Sequence, residues 1–249
     1  MAVKRKVAKK SKSARKPSAP ARKSASKVKA ADREFFLISG SPFAWRAQLA
    51  LAVKGLRYTP RVLQASKGEH KAPAYLAINP RGKIPALKDG ATVIRESLAI
   101  IAYLDRRYPN PPLFGRDPKE AARIWQQVCE IASYIEGQTA RVNRPIFGNK
   151  VAENVDDIRA AMTEIRAELA RLEGELGRDP WLAGGKISAA DICAYPFIKS
   201  LLRAAGKPEA ASLNLDLLPF EGRYPKLAKW MQRVEAIPGA AEASPPHWR

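Results

Sequence analysis

The stretch I-N-P-R-G-K-I-P-A-L-K-D-G-A-T-V-I-R-E-S, residues 78–97, decides the fold. It reads as one short strand ending on Ile84-Pro85, a second closing at Ile94, and a Glu96-Ser97 pair opening an apolar helix. That combination suits a small tripeptide held by backbone and helix end together.

The flanking sequence extends the pattern in both directions. Upstream, the apolar run Phe35-Phe36-Leu37-Ile38 leads into Ser39-Gly40, as a buried strand enters a loop. Ser41-Pro42 then supplies an N-cap and a first helical residue, and Trp45, Leu49, Ala52 and Val53 form a stripe that stops at Lys54-Gly55. Residues 58–63 read as another strand, and 64–77 as polar chain with a short helical turn. Downstream, the helix starting near Ser97 ends before Pro109, and Asn110-Pro111-Pro112 makes a stiff linker. The order β-α-β-(α)-β-β-α is an α/β unit with a mixed sheet.

The remainder reads as helical. Residues 118–141 place Ile124, Val128, Ile131 and Ile135 on one face, while Val155, Ile158, Met162, Ile165, Leu169, Leu172 and Leu176 recur at steps of three and four. Asp179-Pro180 breaks that helix and a Gly-rich loop follows. Ser188 and Asp191 form a capping box ahead of the apolar run 192–202, and a last helix after Pro225 carries Leu227, Trp230, Met231 and Val234.

Charge is concentrated at one end. Of the 249 residues, 1–31 hold twelve Lys and Arg and no acidic residue, so removing these from the net +20 leaves +8 for residues 32–249. Such a Lys/Ala/Ser/Pro segment buries too little apolar surface to offset chain entropy and is expected to be disordered. It suits phosphate backbones, either as a non-specific nucleic-acid arm or as a solubilising tail, and it has no aromatic residue for base stacking. Two cysteines, Cys129 and Cys193, lie in apolar helical patterns and read as buried free thiols rather than a disulfide or a metal site. With no apolar run long enough for a membrane helix and no secretory signal, a soluble cytoplasmic protein is expected.

Four motifs in register carry a family resemblance: S-P-F-A-W-R at 41–46, N-P-R-G-K-I-P-A-L at 79–87, E-S-L-A-I-I-A-Y-L at 96–104 and I-S-A-A-D-I at 187–192. From about residue 35 to 237 the chain resembles a glutathione S-transferase. The resemblance implies a thioredoxin-like N-terminal domain (32–109), a linker (110–117) and an all-α C-terminal bundle (118–249), usually in a homodimer. It implies glutathione as co-substrate, with no metal. It also implies a cis Ile84-Pro85 bond that turns the backbone of Ile84 outward to pair with the cysteinyl unit.

Other site assignments have a chemical case. Glu96 can hold the ammonium group and Ser97 the carboxylate of a γ-glutamyl end; the alternative is that the pair only caps a helix. Ser41 stands where thioredoxin-like proteins carry a reactive thiol, and Ala44 removes the second half of any C-x-x-C, which excludes dithiol exchange. A serine there can stabilise a bound thiolate, or only cap the helix. By similarity, Lys71 and His70 are candidates for the glycyl carboxylate, or belong to a solvated charge run. Arg123, Trp125 and Tyr134 are candidates for the second-substrate cleft or for core, and Arg46 and Lys54 read as helix-surface charges. The expected reaction is conjugation of glutathione to an electrophile. Its rivals are isomerase or ether-cleaving lyase chemistry at the same site, and a non-catalytic module tethered to nucleic acid.

Overall fold

The computed structural model describes residues 33–248. The expectation of disorder for 1–31 lies outside them. The N-terminal half contains β1 (Arg33–Leu37), α1 (Pro42–Val53), β2 (Thr59–Val62), α2 (Pro73–Leu76), β3 (Ala86–Asp89), β4 (Thr92–Arg95) and α3 (Ser97–Arg107). Its sheet runs β2-β1-β3-β4, with β1 parallel to β2 and antiparallel to β3. This is the mixed α/β sheet expected. One detail differs: Ile84-Pro85 precedes β3 instead of ending a strand. Proline has no N–H to give to the ladder, so regular pairing begins at Ala86.

The C-terminal half contains α4 (Pro118–Glu130), a π-helical turn (Ile131–Glu136), α5 (Gly137–Phe147), α6 (Val155–Glu175), α7 (Ala189–Ala205), α8 (Phe220–Arg223), α9 (Pro225–Glu235) and α10 (Ala240–Ala243). The helix expected over 118–141 therefore continues to Phe147 through the π turn. Helix α7 is buried along nearly its whole length, which explains its unbroken apolar sequence. Against it, α1 sets Trp45 edge-on to Tyr195 at 5.3 Å and Phe43 edge-on to Phe197 at 5.1 Å. The two halves thus share one apolar core. No helix among the described residues is long and apolar enough to cross a membrane.

Two polar residues prove to be structural ties. Lys54, expected on the helix surface, is buried, and its Nζ donates to Asp105 Oδ1 at 2.7 Å, to the Tyr108 carbonyl at 2.7 Å and to the Pro111 carbonyl. Asp105 also accepts from the Leu113 N–H at 2.7 Å, so this ion pair fastens the linker to α1. Burial lowers the Lys54 pKa, and Asp105 opposes that shift. The second tie is Arg33, whose guanidinium donates to the Arg57 carbonyl and the Tyr108 hydroxyl and lies 3.3 Å from buried Asp89. Of the cysteines, Cys193 is buried as expected, but Cys129 is exposed because its position on α4 faces away from the stripe of Ile124 and Val128.

The capping box at the start of α7 gathers four donors on one carboxylate. Asp191 Oδ1 accepts from Leu182 N–H at 2.9 Å and Trp230 Nε1 at 2.8 Å, while Oδ2 accepts from Ser188 N–H at 2.9 Å and Ser188 Oγ at 3.0 Å. Removing the acceptor strands buried donors on three separate segments. We expect Asp191→Ala to cost about 3–5 kcal/mol of stability in urea unfolding, against about 1 kcal/mol for Ser188→Ala. Equal costs for the two variants would contradict the shared-acceptor role.

Candidate active site

Strand register brings the sequence-defined site segments to one end of the sheet. Phe36 pairs with Arg61 on one side and Ala86 on the other, and Ala86 pairs with Arg95. The chain leaving Phe36 reaches Ser41, and the chain leaving Arg61 reaches His70 and Lys71. Ile84-Pro85 lies immediately before Ala86, and Glu96-Ser97 immediately after Arg95. Phe36 and Arg95, 59 positions apart in sequence, thereby fall in a single row across the sheet, and the site segments leave from that row.

Ser41 is the N-cap of α1, and its Oγ accepts from the Ala44 N–H at 3.3 Å. A hydroxyl has two acceptor lone pairs and one proton, so capping leaves the proton free to donate. Capping and thiolate donation therefore do not compete. Ser41 is partly exposed and lines a cavity of about 300 Å³ with Trp45, Tyr58, Pro60 and the 242–246 segment. Neither Ile84, Glu96, Ser97, Lys71 nor His70 lines that cavity.

Ser97 begins α3 and is buried. Its Oγ accepts from Arg46 Nε at 2.8 Å, which again leaves the hydroxyl proton available. Arg46 is far from the surface charge expected: it is 4% exposed. Its guanidinium carbon lies 5.1 Å from the Phe43 ring and 5.6 Å from the Phe197 ring, and its Nη1 donates to Glu136 Oε1 from the π turn. A signal was present in the sequence, since Arg46 stands one turn before Leu49 and Ala50 on the buried side of α1. Beside this network the thiol of Cys193 is pushed up to about 12 by burial, which makes it inert at neutral pH.

Glu96 is exposed and has φ 64° and ψ 120°, a strained conformation for a side chain other than glycine. Such strain costs on the order of 1–3 kcal/mol and clusters at functional sites. Its carboxylate caps nothing, so it faces solvent beside Ser97.

The Ile84–Pro85 peptide is cis. Among the described residues no intrachain backbone hydrogen bond engages Ile84. The loop before it is held from behind: Tyr75 Oη and Asn79 Nδ2 both donate to the Lys83 carbonyl, at 2.6 and 2.7 Å. Sequence reasoning missed this role of Tyr75 and Asn79, because the shared acceptor is a backbone atom. Gly82, at φ +57°, permits the close approach of the next loop, since a Cβ there would stand 2.8 Å from the His70 carbonyl and 3.1 Å from Lys71 Nζ. Lys71 and His70 are thus brought beside the Ile84 loop, Lys71 exposed and His70 half-buried.

The candidates from the helical half are dispersed. Arg123 pairs with Asp179 at 2.7 Å. Trp125 is 39% exposed and stacks on Phe114, and Tyr134 is 55% exposed, so neither is core.

Comparison with known proteins gives a consistent result. The glutathione S-transferase N-terminal domain matches residues 35–112, and the C-terminal domain of the same family matches 126–238. Human glutathione S-transferase theta-1 is 35% identical over 187 residues, 72% of each chain. A glutathione S-transferase from the Antarctic clam Laternula elliptica has a similar structure, with TM-score 0.72 and 27% identity over 88% of this chain and 94% of that one. A glutathione transferase from Phanerochaete chrysosporium, in complex with oxidized glutathione, gives TM-score 0.73 and 28% identity over 86% of this chain and 94% of its own. With both family domains matched in order over most of its length, this chain belongs to the glutathione S-transferase family.

Proposed function

We propose that the protein conjugates the thiolate of glutathione to electrophilic small molecules, acting as a homodimer, with Ser41 as the catalytic residue. The observation that carries this reading is the convergence of Ser41, Ile84, Glu96 and Ser97 on one sheet end, with both serine protons free to donate. The free backbone of Ile84 pairs with the cysteinyl unit as an added strand, a strand-like recognition that needs unpaired N–H and C=O groups. Ser97 donates to the γ-glutamyl carboxylate at the start of α3, with the Arg46 charge behind it. Glu96 takes the ammonium group. Lys71, supported by His70, is placed for the glycyl carboxylate.

The chemistry follows from the Ser41 hydroxyl. Donation to the glutathione sulfur stabilises the thiolate over the thiol and lowers its pKa. The thiolate attacks the electrophilic carbon, a C–S bond forms, and the leaving group departs with its electron pair. Ser41 forms no covalent bond in this sequence. The groups named here, two hydroxyls, a carboxylate, an ammonium and a free backbone, suit an organic zwitterion.

A hydrogen bond to a charged group is worth about 1.5–3 kcal/mol. We therefore expect Ser41→Ala to lower kcat/KM for 1-chloro-2,4-dinitrobenzene about 10- to 100-fold and to move the pH midpoint of kcat/KM upward, toward the free-thiol value near about 8.5. Retention of full activity by the variant would contradict the assignment.

The twelve basic residues of 1–31 support a second role, attachment to nucleic acid through the phosphate backbone. We expect duplex DNA affinity to fall with salt at a log-log slope of about −0.9 per neutralised phosphate and to vanish when 1–31 is deleted. Unchanged affinity after the deletion would exclude the arm as the contact.

A further inference from the structure

Two cavities flank the C-terminal segment of the described chain. Ser41 lines the first. The second, of about 290 Å³, is bounded by Trp45, Lys199, Arg203, His247 and Trp248. Both are lined by Trp45 and Ser244, so the second cavity adjoins the space that Ser41 faces. The segment between them is tied down at several points. Trp248 sits edge-on to Trp45 at 5.3 Å. His247 Nδ1 lies 3.2 Å from Ser39 Oγ, and Nε2 accepts from Trp248 Nε1 at 2.9 Å.

The charge in this cavity is unbalanced. Lys199 is neutralised by Glu235 at 2.6 Å. Arg203 has no such partner: among the described residues no carboxylate pairs with it. Its guanidinium carbon lies 4.9 Å from the Trp248 ring and 5.2 Å from the Phe147 ring. Two aromatic rings flank the group, and among the described residues no acceptor takes its N–H edge, the edge that recognises carboxylates in bidentate fashion. A guanidinium held in one orientation loses little side-chain freedom on binding.

We propose that this cavity binds the carboxylate of an aromatic electrophile, with the anion on Arg203 and the aromatic ring against Trp248 and Trp45, so that the enzyme prefers acidic arenes over neutral ones. The proposal rests on the transferase reading of Ser41 and names the class of second substrate. Arg203 is then a specificity residue, and the His247–Ser39 contact holds the indole wall beside the loop that leads to Ser41.

The test uses the full chain and a matched pair of probes, 4-chloro-3-nitrobenzoate and its neutral methyl ester. Equilibrium dialysis without glutathione reads binding whether or not conjugation occurs. We expect Arg203→Met to weaken carboxylate binding about tenfold or more while ester binding stays within about twofold, with Arg203→Lys retaining part of the carboxylate preference. Equal weakening of both probes, or no weakening of the carboxylate, overturns the proposal. If the dialysis result holds but glutathione yields no conjugate with either probe, the transferase reading fails while the acidic-arene site stands.

Discussion

A guanidinium buried between two aromatic rings must be neutralised from within the protein, and Arg46 is neutralised by Glu136 and hydrogen-bonded to Ser97. Three parts of the fold meet on this group. Arg46 belongs to α1, Ser97 opens α3, and Glu136 comes from the π turn between α4 and α5. Leaving one partner of a buried pair uncompensated costs about 3–5 kcal/mol, so the helical half and the sheet half are held in one relative position. That position fixes the Ser97 oxygen, with one lone pair occupied by Arg46 and the proton left to donate. A residue in the helical half therefore sets the donor that the proposed ligand carboxylate meets.

The same economy of atoms recurs at Ser41. Each serine accepts one hydrogen bond from the protein, and that bond orients the oxygen without consuming the proton. Glu96 adds a second form of preorganisation, because its positive φ turns the carboxylate into solvent at the mouth of the same edge. Behind the edge, Tyr75 and Asn79 clamp the Lys83 carbonyl and so place the unpaired backbone of Ile84. The proposed binding groups, on three segments, are thus held by contacts within the protein. This arrangement lowers the ordering cost of binding.

Much of this was legible in the sequence, for definite reasons. Apolar runs and turn residues located β1, β2 and β4 but put β3 before Pro85 when it lies after it; Ser41-Pro42 located α1, and the spacing of Ile158, Met162, Ile165 and Leu169 located α6. The capping box at Ser188 and Asp191 was equally plain, although its further acceptance from Trp230 and Leu182 was not. What failed was the reading of charge. Arg46 lies on the buried side of α1, but nothing local to it or to Lys54 reveals a partner 90 or 51 residues away. The π turn that aims Glu136 inward has no distinctive composition. The clamp on Lys83 depends on a backbone carbonyl, which every residue possesses.

The most direct test of this account acts on Glu136, which is outside the proposed ligand space yet holds Arg46 in place. Glutathione affinity of Glu136→Gln, measured by calorimetry on protein shown to remain folded, is expected to fall roughly tenfold, because an uncompensated guanidinium no longer fixes the Ser97 hydroxyl. Affinity equal to that of the unsubstituted protein would contradict it.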